Sequence, residues 1–425
     1  MVQRRRRAKG DGGLYQIRDG KLWRAVVTDP STGKPISRTS RTQAGARAKL
    51  DELKKQIREH GGALDTATTV SEWGETWLAT VIKPKKKPST TSSYETIVRK
   101  WISPTVGRKK VASLKPSDVR LIHRAVLDAG RSTSTVTKVH KSVLSPMLEA
   151  ARKEGLCARN VAADVDVPTV QPVRKRGALT NDTAFRVLKT AADMEDGTRW
   201  WAAILAGLRQ GERLAARIED LDIANGVLHV QWSLDEITFE HGCNNTCKYK
   251  RAGSCPERRL KVPDGFEYIQ LEGRLCLVRP KSGRVRTVPL VKPLVIALER
   301  HLEATKDRDN PHGLIWRHTD GSPWLPYEDE QAWRDLLHTA GVITKEQTPP
   351  PRGRKPGTPE PPDSHWARHT TATVLMELGV DPKIVGEIVG HVSVETTQGY
   401  QWVSSDAARA AMDKVGIHFA GALEA

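Results

Sequence analysis

His365-Trp366-Ala367-Arg368-His369-Thr370 opens the stretch that decides how this chain is read. It runs on through Leu378, Gly379 and Asp381 to Gly390-His391 and ends at Gly399-Tyr400. Its histidines, its arginine and its tyrosine bring hydrogen-bond donors, a planar guanidinium fork and a phenol that can act as a nucleophile. Two upstream pieces carry related chemistry. Ala206-Gly207-Leu208-Arg209-Gln210-Gly211-Glu212 follows an apolar helical stretch, and Arg279-Pro280-Lys281-Ser282-Gly283-Arg284-Val285-Arg286 sets a lysine at the mouth of a tight turn. Singly, each has an ordinary reading: an arginine in a helix-terminal turn is a salt-bridge partner, and a lysine in a turn is solvated.

In the order Arg209, Lys281, His365, Arg368, His391, Tyr400 these residues resemble the catalytic set of the tyrosine recombinase (phage integrase) family. The resemblance covers about residues 179–411. It implies a mixed α+β catalytic domain, with Tyr400 attacking a DNA phosphodiester to leave a 3′-phosphotyrosine and a free 5′-hydroxyl. It also implies that Lys281 protonates the departing 5′-oxygen. Physical chemistry gives the other residues independent reasons. A phosphodiester repels nucleophiles, and its pentacoordinate transition state gathers charge on non-bridging oxygens that Arg209 and Arg368 can hold bidentately. His365 and His391 can add hydrogen bonds, and His365 is also a candidate to take the nucleophile's proton. Glu212 is expected to orient an arginine. Trp366, Ala367 and the Pro-rich stretch 348–362 depart from the family pattern without removing a catalytic side chain. The phosphotyrosine ester keeps the energy of the original bond, so no ATP or catalytic cofactor is expected, in line with the absence of a Walker-type loop.

Charge and pattern divide the rest of the 425 residues. Lys+Arg total 68 against 50 Asp+Glu, a net charge of +18, which makes a polyanion the expected partner. Residues 1–60 alone hold 16 basic and 6 acidic side chains, a net +10. Leu14–Ile17 and Leu22–Val27 flank Asp19-Gly20, a hairpin signal. A third strand at Ile36–Ser40 and a helix carrying Ala46, Leu50, Leu53 and Ile57 complete a three-stranded sheet backed by one helix over 1–62. Arg24 and Arg38 are its candidate DNA contacts, and the family resemblance makes the unit an arm-type DNA-binding domain.

Thr69-Val70-Ser71-Glu72 reads as a capping box opening an all-α unit over 69–167, with Val70, Trp73, Trp77 and Val81 as an apolar stripe. Tryptophans at that spacing are expected in the core. Further helices are expected over Tyr94–Ile102, Pro116–Leu127 and Ser134–Lys153, the last kinked or split by Pro146. By resemblance this is the core-binding domain, with Lys85 and Lys86 as DNA contacts. A basic linker at 168–178 contributes Arg174, Lys175 and Arg176, and the catalytic domain fills 179–425. It opens with helices over Asn181–Ala192 and Trp200–Leu208, followed by a hairpin turn at Asn225-Gly226. By resemblance, the two larger lobes form a clamp on duplex DNA. After Tyr400, the helical pattern from Ser404 to Val415 either docks on a neighbouring subunit, as in the family, or packs on its own domain.

Four of the five cysteines lie between 243 and 276. His241, Cys243, Cys247 and Cys255 sit in a Gly-, Asn- and Lys-rich insertion over about 236–262 that is too polar to bury a core. A structural zinc is therefore a candidate, with Cys276 as an alternative to His241 and free thiols as the competing reading. The longest largely apolar run, Trp200–Leu208, is too short to span a bilayer, and no signal peptide opens the chain, so a cytosolic site of action in a bacterial host is expected. The partners expected are double-stranded attachment sites, further copies of the chain in a tetrameric synapse, and a DNA-bending accessory protein or excision factor. A non-catalytic DNA-binding or architectural protein is the main competing function. A relaxing topoisomerase is a second, disfavoured by the separate N-terminal domain.

Overall fold

The structure is a computed structural model describing residues 12–28, 34–60, 67–168, 177–244, 246–281, 283, 285–353, 357–390 and 405–420. The chain forms two compact units. One comprises residues 1–173 with 262–264, the other 174–261 with 265–425. His391, Tyr400 and the linker residues Arg174, Lys175 and Arg176 lie outside the described residues.

The first unit begins with strands Gly13–Ile17, Leu22–Thr28 and Pro35–Ser40, paired antiparallel in that order. The turn between the first two closes through the Lys21 N–H to the Arg18 carbonyl at 3.1 Å. Its central residues Asp19 and Gly20 both have positive φ, as a primed hairpin turn requires, and Arg18 joins them at 54°. Ala25 and Val27 point to the helix Gln43–His60 and bury against Leu50 and Leu53. Because successive strand residues face opposite ways, Arg24 lies on the face away from that helix. Arg38 is paired opposite Ala25 and so lies on the helix side. Both arginines are exposed, but they do not share a face.

The helical part of this unit starts with the expected capping box: the Thr69 hydroxyl accepts from the Glu72 N–H, and the Glu72 carboxylate accepts from the Thr69 N–H at 2.8 Å. Trp73 and Trp77 are core residues, with Trp73 Nε1 donating to the Met147 carbonyl at 2.9 Å. The stripe then departs from the expected period, since Ile82 is buried and Val81 only half-buried. A π-helical turn over Leu78–Ile82 causes this, because one extra residue in the turn moves the buried face on by one position. Two more π-helical segments occupy Val98–Ile102 and Lys138–Leu144.

Each of the three stands just before a proline, Pro84, Pro104 or Pro146. The residue before the proline donates five positions back: Lys83 to Leu78, Ser103 to Val98 and Ser145 to His140. Proline lacks an N–H and its ring presses on the carbonyl four residues earlier, and a widened turn accommodates both defects. Pro146 therefore does not split its helix, which continues through Ser145–Lys153.

The second unit is built on the helix Thr198–Leu205, whose residues 199–205 are all buried. A helix buried on all sides sits at the centre of a core. Trp200 lies tilted against Trp333 at 5.3 Å, with Leu294, Leu375 and Ile388 in the same cluster. The expected helix Asn181–Ala192 is present, capped by Thr180. The next helix ends earlier than expected, because Gly207 at φ 62° turns the chain.

Three small antiparallel groups complete the unit. Arg286–Pro289 and Leu221–Asp222 flank Val227–Val230. Leu275–Val278 lies between Ser233–Glu236 and Tyr268–Gln270. Phe239–His241 pairs with Arg258–Leu260. Asn225-Gly226 does mark a hairpin, but residues 223–226 make the loop and only Gly226 has positive φ; the Asp222 carboxylate accepts from both the backbone and side-chain amides of Asn225. Helix Ser405–His418 buries Ala411, Met412 and Val415 in its own domain's core, and Arg409 donates to the Leu290 carbonyl at 3.2 Å. The apolar face of this helix is thus covered by its own domain, one of the two placements the sequence leaves open. No helix among the described residues is long and apolar enough to cross a membrane.

Candidate active site

Arg209 caps the short helix Gln210–Leu214 after the chain has turned at Gly207. Its Nη1 donates to Glu212 Oε1 at 2.6 Å, its backbone N–H donates to Glu212 Oε2 at 2.9 Å, and its Nη2 donates to the Gly390 carbonyl. Gly390 is the left-handed C-cap of the helix Pro382–Val389, so Arg209 is fastened to the residue before His391. A Cβ on Gly390 would come within 3.0 Å of Arg286.

Arg286 shares Glu212 with Arg209. It donates to both carboxylate oxygens, at 2.8 and 2.6 Å, and its Nε reaches the Ile388 carbonyl at 3.3 Å. Burial by itself would raise the Glu212 carboxyl, but the donors and charges of Arg286 and Arg209 outweigh it and hold the group down at about 2. The sequence marked Glu212 as an arginine's partner; that Arg286 is the second arginine emerges only from the strand pairing that carries it to this place.

Arg368 sits on the first turn of the helix His365–Glu377 and is 1 % exposed. Nη1 donates to the Gly207 carbonyl at 2.7 Å. Nε and Nη2 have no hydrogen-bond partner among the described residues. Burial, and next the charge of Arg209, lower its pKa to about 9, so it remains a cation at neutral pH. A buried guanidinium with two donors in fork geometry unused is matched to a bidentate oxyanion. His365 stands on the same turn, edge-on to His369 with ring centroids 4.6 Å apart. Partial burial, reinforced by His369, Arg368 and Arg209, lowers its pKa, which keeps the imidazole neutral and able to accept a proton near neutral pH.

Lys281 is exposed on a turn closed by the Gly283 N–H to the Pro280 carbonyl at 2.8 Å, with Gly283 at φ 70°. It stands three residues beyond the strand Leu275–Val278. Lys85 and Lys86 are exposed just past the helical turn ending at Ile82, their N–H groups donating to its carbonyl.

Behind Arg209 lies a cluster that sequence reading missed. Fully buried Asp329 accepts from Arg213 Nη2 at 2.6 Å and from Gln210 Nε2 at 2.9 Å, and Arg199 Nε lies 3.5 Å away. Arg199 in turn stacks over Trp324 at 3.9 Å. Asp329 thereby holds the helix that starts at Arg209, and no spacing in the sequence links residues so far apart.

His241, Cys243, Cys247 and Cys255 converge so that their four candidate ligand atoms lie within 4.8 Å of one another. Cys243 Sγ and Cys255 Sγ are 3.5 Å apart, and His241 Nδ1 lies 3.8 Å from Cys243 Sγ and 3.4 Å from Cys247 Sγ. Tetrahedral zinc with Zn–S bonds of about 2.3 Å has S–S edges of about 3.8 Å, close to this spacing. The backbone N–H of Cys247 leads the interactions that lower the Cys243 thiol to about 6, favouring the thiolate. Cys276, the alternative ligand, is not among the four. It is buried in the strand Leu275–Val278, and burial pushes its thiol up to about 11.

The chain matches the phage integrase family over residues 259–406 and the phage integrase N-terminal SAM-like domain over residues 69–123. An integrase from Saccharopolyspora erythraea is 25 % identical over 462 aligned residues, spanning 99 % of this chain and 100 % of the relative. Tyrosine recombinase XerA from Pyrococcus furiosus is 32 % identical over 161 residues, 37 % of this chain and 48 % of that one. The fold resembles the Tn1549 transposon integrase in complex with a circular intermediate DNA (TM-score 0.57, 19 % identity, 82 % of this chain and 100 % of that chain). It also resembles a lambda integrase dimer bound to a COC′ core site (TM-score 0.54, 15 % identity, 95 % and 99 %). These family matches fall on the segments that carry the lysine turn, Arg286, Arg368 and the helix of His365, so that over residues 69–123 and 259–406 the chain matches the phage integrase family of tyrosine recombinases.

Proposed function

We propose that this chain is a site-specific DNA recombinase that cuts and rejoins DNA through a 3′-phosphotyrosine on Tyr400. The observation that carries the assignment is the pair of unused donors on buried Arg368, on a turn shared with His365 and fastened to the same Gly207 bend that leads into Arg209. Arg209 and Arg368 hold the non-bridging oxygens, so the charge that develops at phosphorus meets donors already in place. His365 accepts the phenol proton, His391 adds a hydrogen bond to the phosphate, and Lys281 gives a proton to the departing 5′-oxygen. The liberated hydroxyl of a partner strand then attacks the phosphotyrosine, restoring the diester and the phenol without ATP.

Residues 1–62 act as an arm-type DNA-binding domain, 69–167 as the core-binding domain, 168–178 as the linker and 179–425 as the catalytic domain. Arg24, Arg38, Lys85, Lys86, Arg174, Lys175 and Arg176 contact the DNA backbone. The substrate is duplex attachment-site DNA in the cytosol of a bacterial host, engaged as a tetramer with a DNA-bending or excision factor. On a nicked duplex that traps the intermediate, the wild type forms a denaturant-resistant covalent adduct and Tyr400→Phe binds the duplex without forming one. An adduct in Tyr400→Phe would sink the assignment.

His241, Cys243, Cys247 and Cys255 hold a structural zinc. Among the described residues between 239 and 259 only Cys243 and Cys255 are buried, so the insertion has no apolar core of its own, and a metal cross-links it instead. Elemental analysis of protein washed with a weak chelator finds one zinc per chain; less than about a tenth of that overturns the site.

A further inference from the structure

The insertion that carries the metal cluster also carries a charge pattern that the catalytic site does not use. Between Cys247 and Cys255 stand Lys248, Lys250 and Arg251 and no acidic residue. All three cations are exposed, as is Tyr249 between them, at 43 %. Lys248 Nζ lies over the Tyr249 ring at 5.8 Å, and on the paired strand Arg258 lies over Phe239 at 5.3 Å. Exposed cations interleaved with an exposed aromatic ring match a nucleic-acid backbone better than an apolar partner. Such a strip loses affinity if its loop is free to collapse or flex, and here the loop is fixed at both ends by candidate metal ligands.

Strand register says where the strip sits relative to the lysine turn. Ser233–Glu236 runs antiparallel to Leu275–Val278, with Glu236 opposite Leu275 and Ser233 opposite Val278. The insertion leaves the sheet after Glu236, and the Lys281 turn leaves it after Val278. The two excursions therefore depart from opposite ends of one sheet. Their bases are separated along the strands by three residue steps, about 10 Å within the sheet.

We propose that residues 247–258 form a zinc-ordered finger that binds the phosphate backbone of duplex DNA at a place other than the scissile phosphate. The proposal rests on the recombinase and zinc readings above. It adds a contact that neither of them needs.

The test uses the full-length protein and a fluorescein-labelled random-sequence duplex, with zinc content measured on the same samples. Replacing Lys248, Lys250 and Arg251 together by glutamine weakens binding by at least about tenfold and flattens the log-log salt dependence by about 2–3, while zinc stays at the wild-type level. A photo-crosslinking residue at position 249 attaches covalently to the labelled duplex. Wild-type affinity and salt slope in the zinc-loaded triple variant, with no crosslink from position 249, overturn the finger and leave the zinc reading standing. A wild type without zinc whose affinity still depends on the three cations overturns the zinc reading and upholds the contact. Crosslinking to single-stranded RNA in preference to the duplex overturns the choice of ligand.

Discussion

Replacing Glu212 by glutamine keeps the side chain's shape and removes the charge that gathers Arg209 and Arg286. The carboxylate is 1 % exposed and accepts four hydrogen bonds: Arg209 Nη1 (2.6 Å), the Arg209 N–H (2.9 Å), and Arg286 Nη1 and Nη2 (2.8 and 2.6 Å). An amide at this place must turn its own N–H toward a guanidinium. The fall of the carboxyl from its ordinary 4.5 to about 2 corresponds to about 3 kcal/mol at roughly 1.4 kcal/mol per pH unit. The folded-state pKa lies below the unfolded one, so this stabilisation is fully present above pH 4.5 and is lost as pH falls toward 2. Linkage leaves about three-quarters of it at pH 4 and less than about half at pH 3. At roughly 2–4 °C per kcal/mol for a unit of this size, Glu212→Gln lowers the thermal midpoint by roughly 6–12 °C at neutral pH and by progressively less in acid. Thermal melts of both proteins by circular dichroism, stepped from neutral pH to about 3, measure that difference directly. A gap that stays constant with pH, or is absent at neutral pH, would refute the claim that the Glu212 charge holds the two arginines.

Arg368→Lys keeps the charge but loses the fork, and single-turnover adduct formation falls by about 10²–10³-fold while duplex affinity changes by less than about tenfold; rates within about threefold of wild type would contradict the bidentate role. Gly207→Ala places a Cβ at φ 62° and 3.1 Å from Val389 Cγ1, at a bend whose carbonyl receives Arg368. It costs about 1–2 kcal/mol in chemical denaturation and reduces adduct formation further than that loss explains, whereas unchanged cleavage at full folding would show that the bend does not position Arg368.

The parts of this fold that were legible in the sequence are those set by local chemistry. The Thr69–Glu72 box, the Asp19-Gly20 turn and the helix over residues 181–192 depend on residues within a few positions of each other. The π-helical turns were not legible, because a scan at a fixed helical period places Val81 on the buried face and cannot register one inserted residue. Pro84 was present as a signal, but it marks the end of regular bonding and does not say how the preceding turn will adjust. In the site, Arg209 and Arg368 were found through their order along the chain. Arg286 and Asp329 could not be, because their partners stand 74 and 119 residues away and no local pattern records such pairings. The convergence of His241 with three cysteines was suggested by composition, and the exclusion of Cys276 required the strand in which it is buried.

The unpartnered fork of Arg368 has a consequence for the lifetime of the protein. A buried cation whose pKa has fallen to about 9 weakens the folded chain at neutral pH, and that weakness is relieved only above pH 9 or by an anion that takes up the two free donors. The phosphodiester proposed for this site is such an anion, and any ligand held only by the folded state adds about 2.7 kcal/mol at a hundredfold excess over its Kd. A ligand that fills the fork therefore also lowers the population of opened chain on which a protease can act.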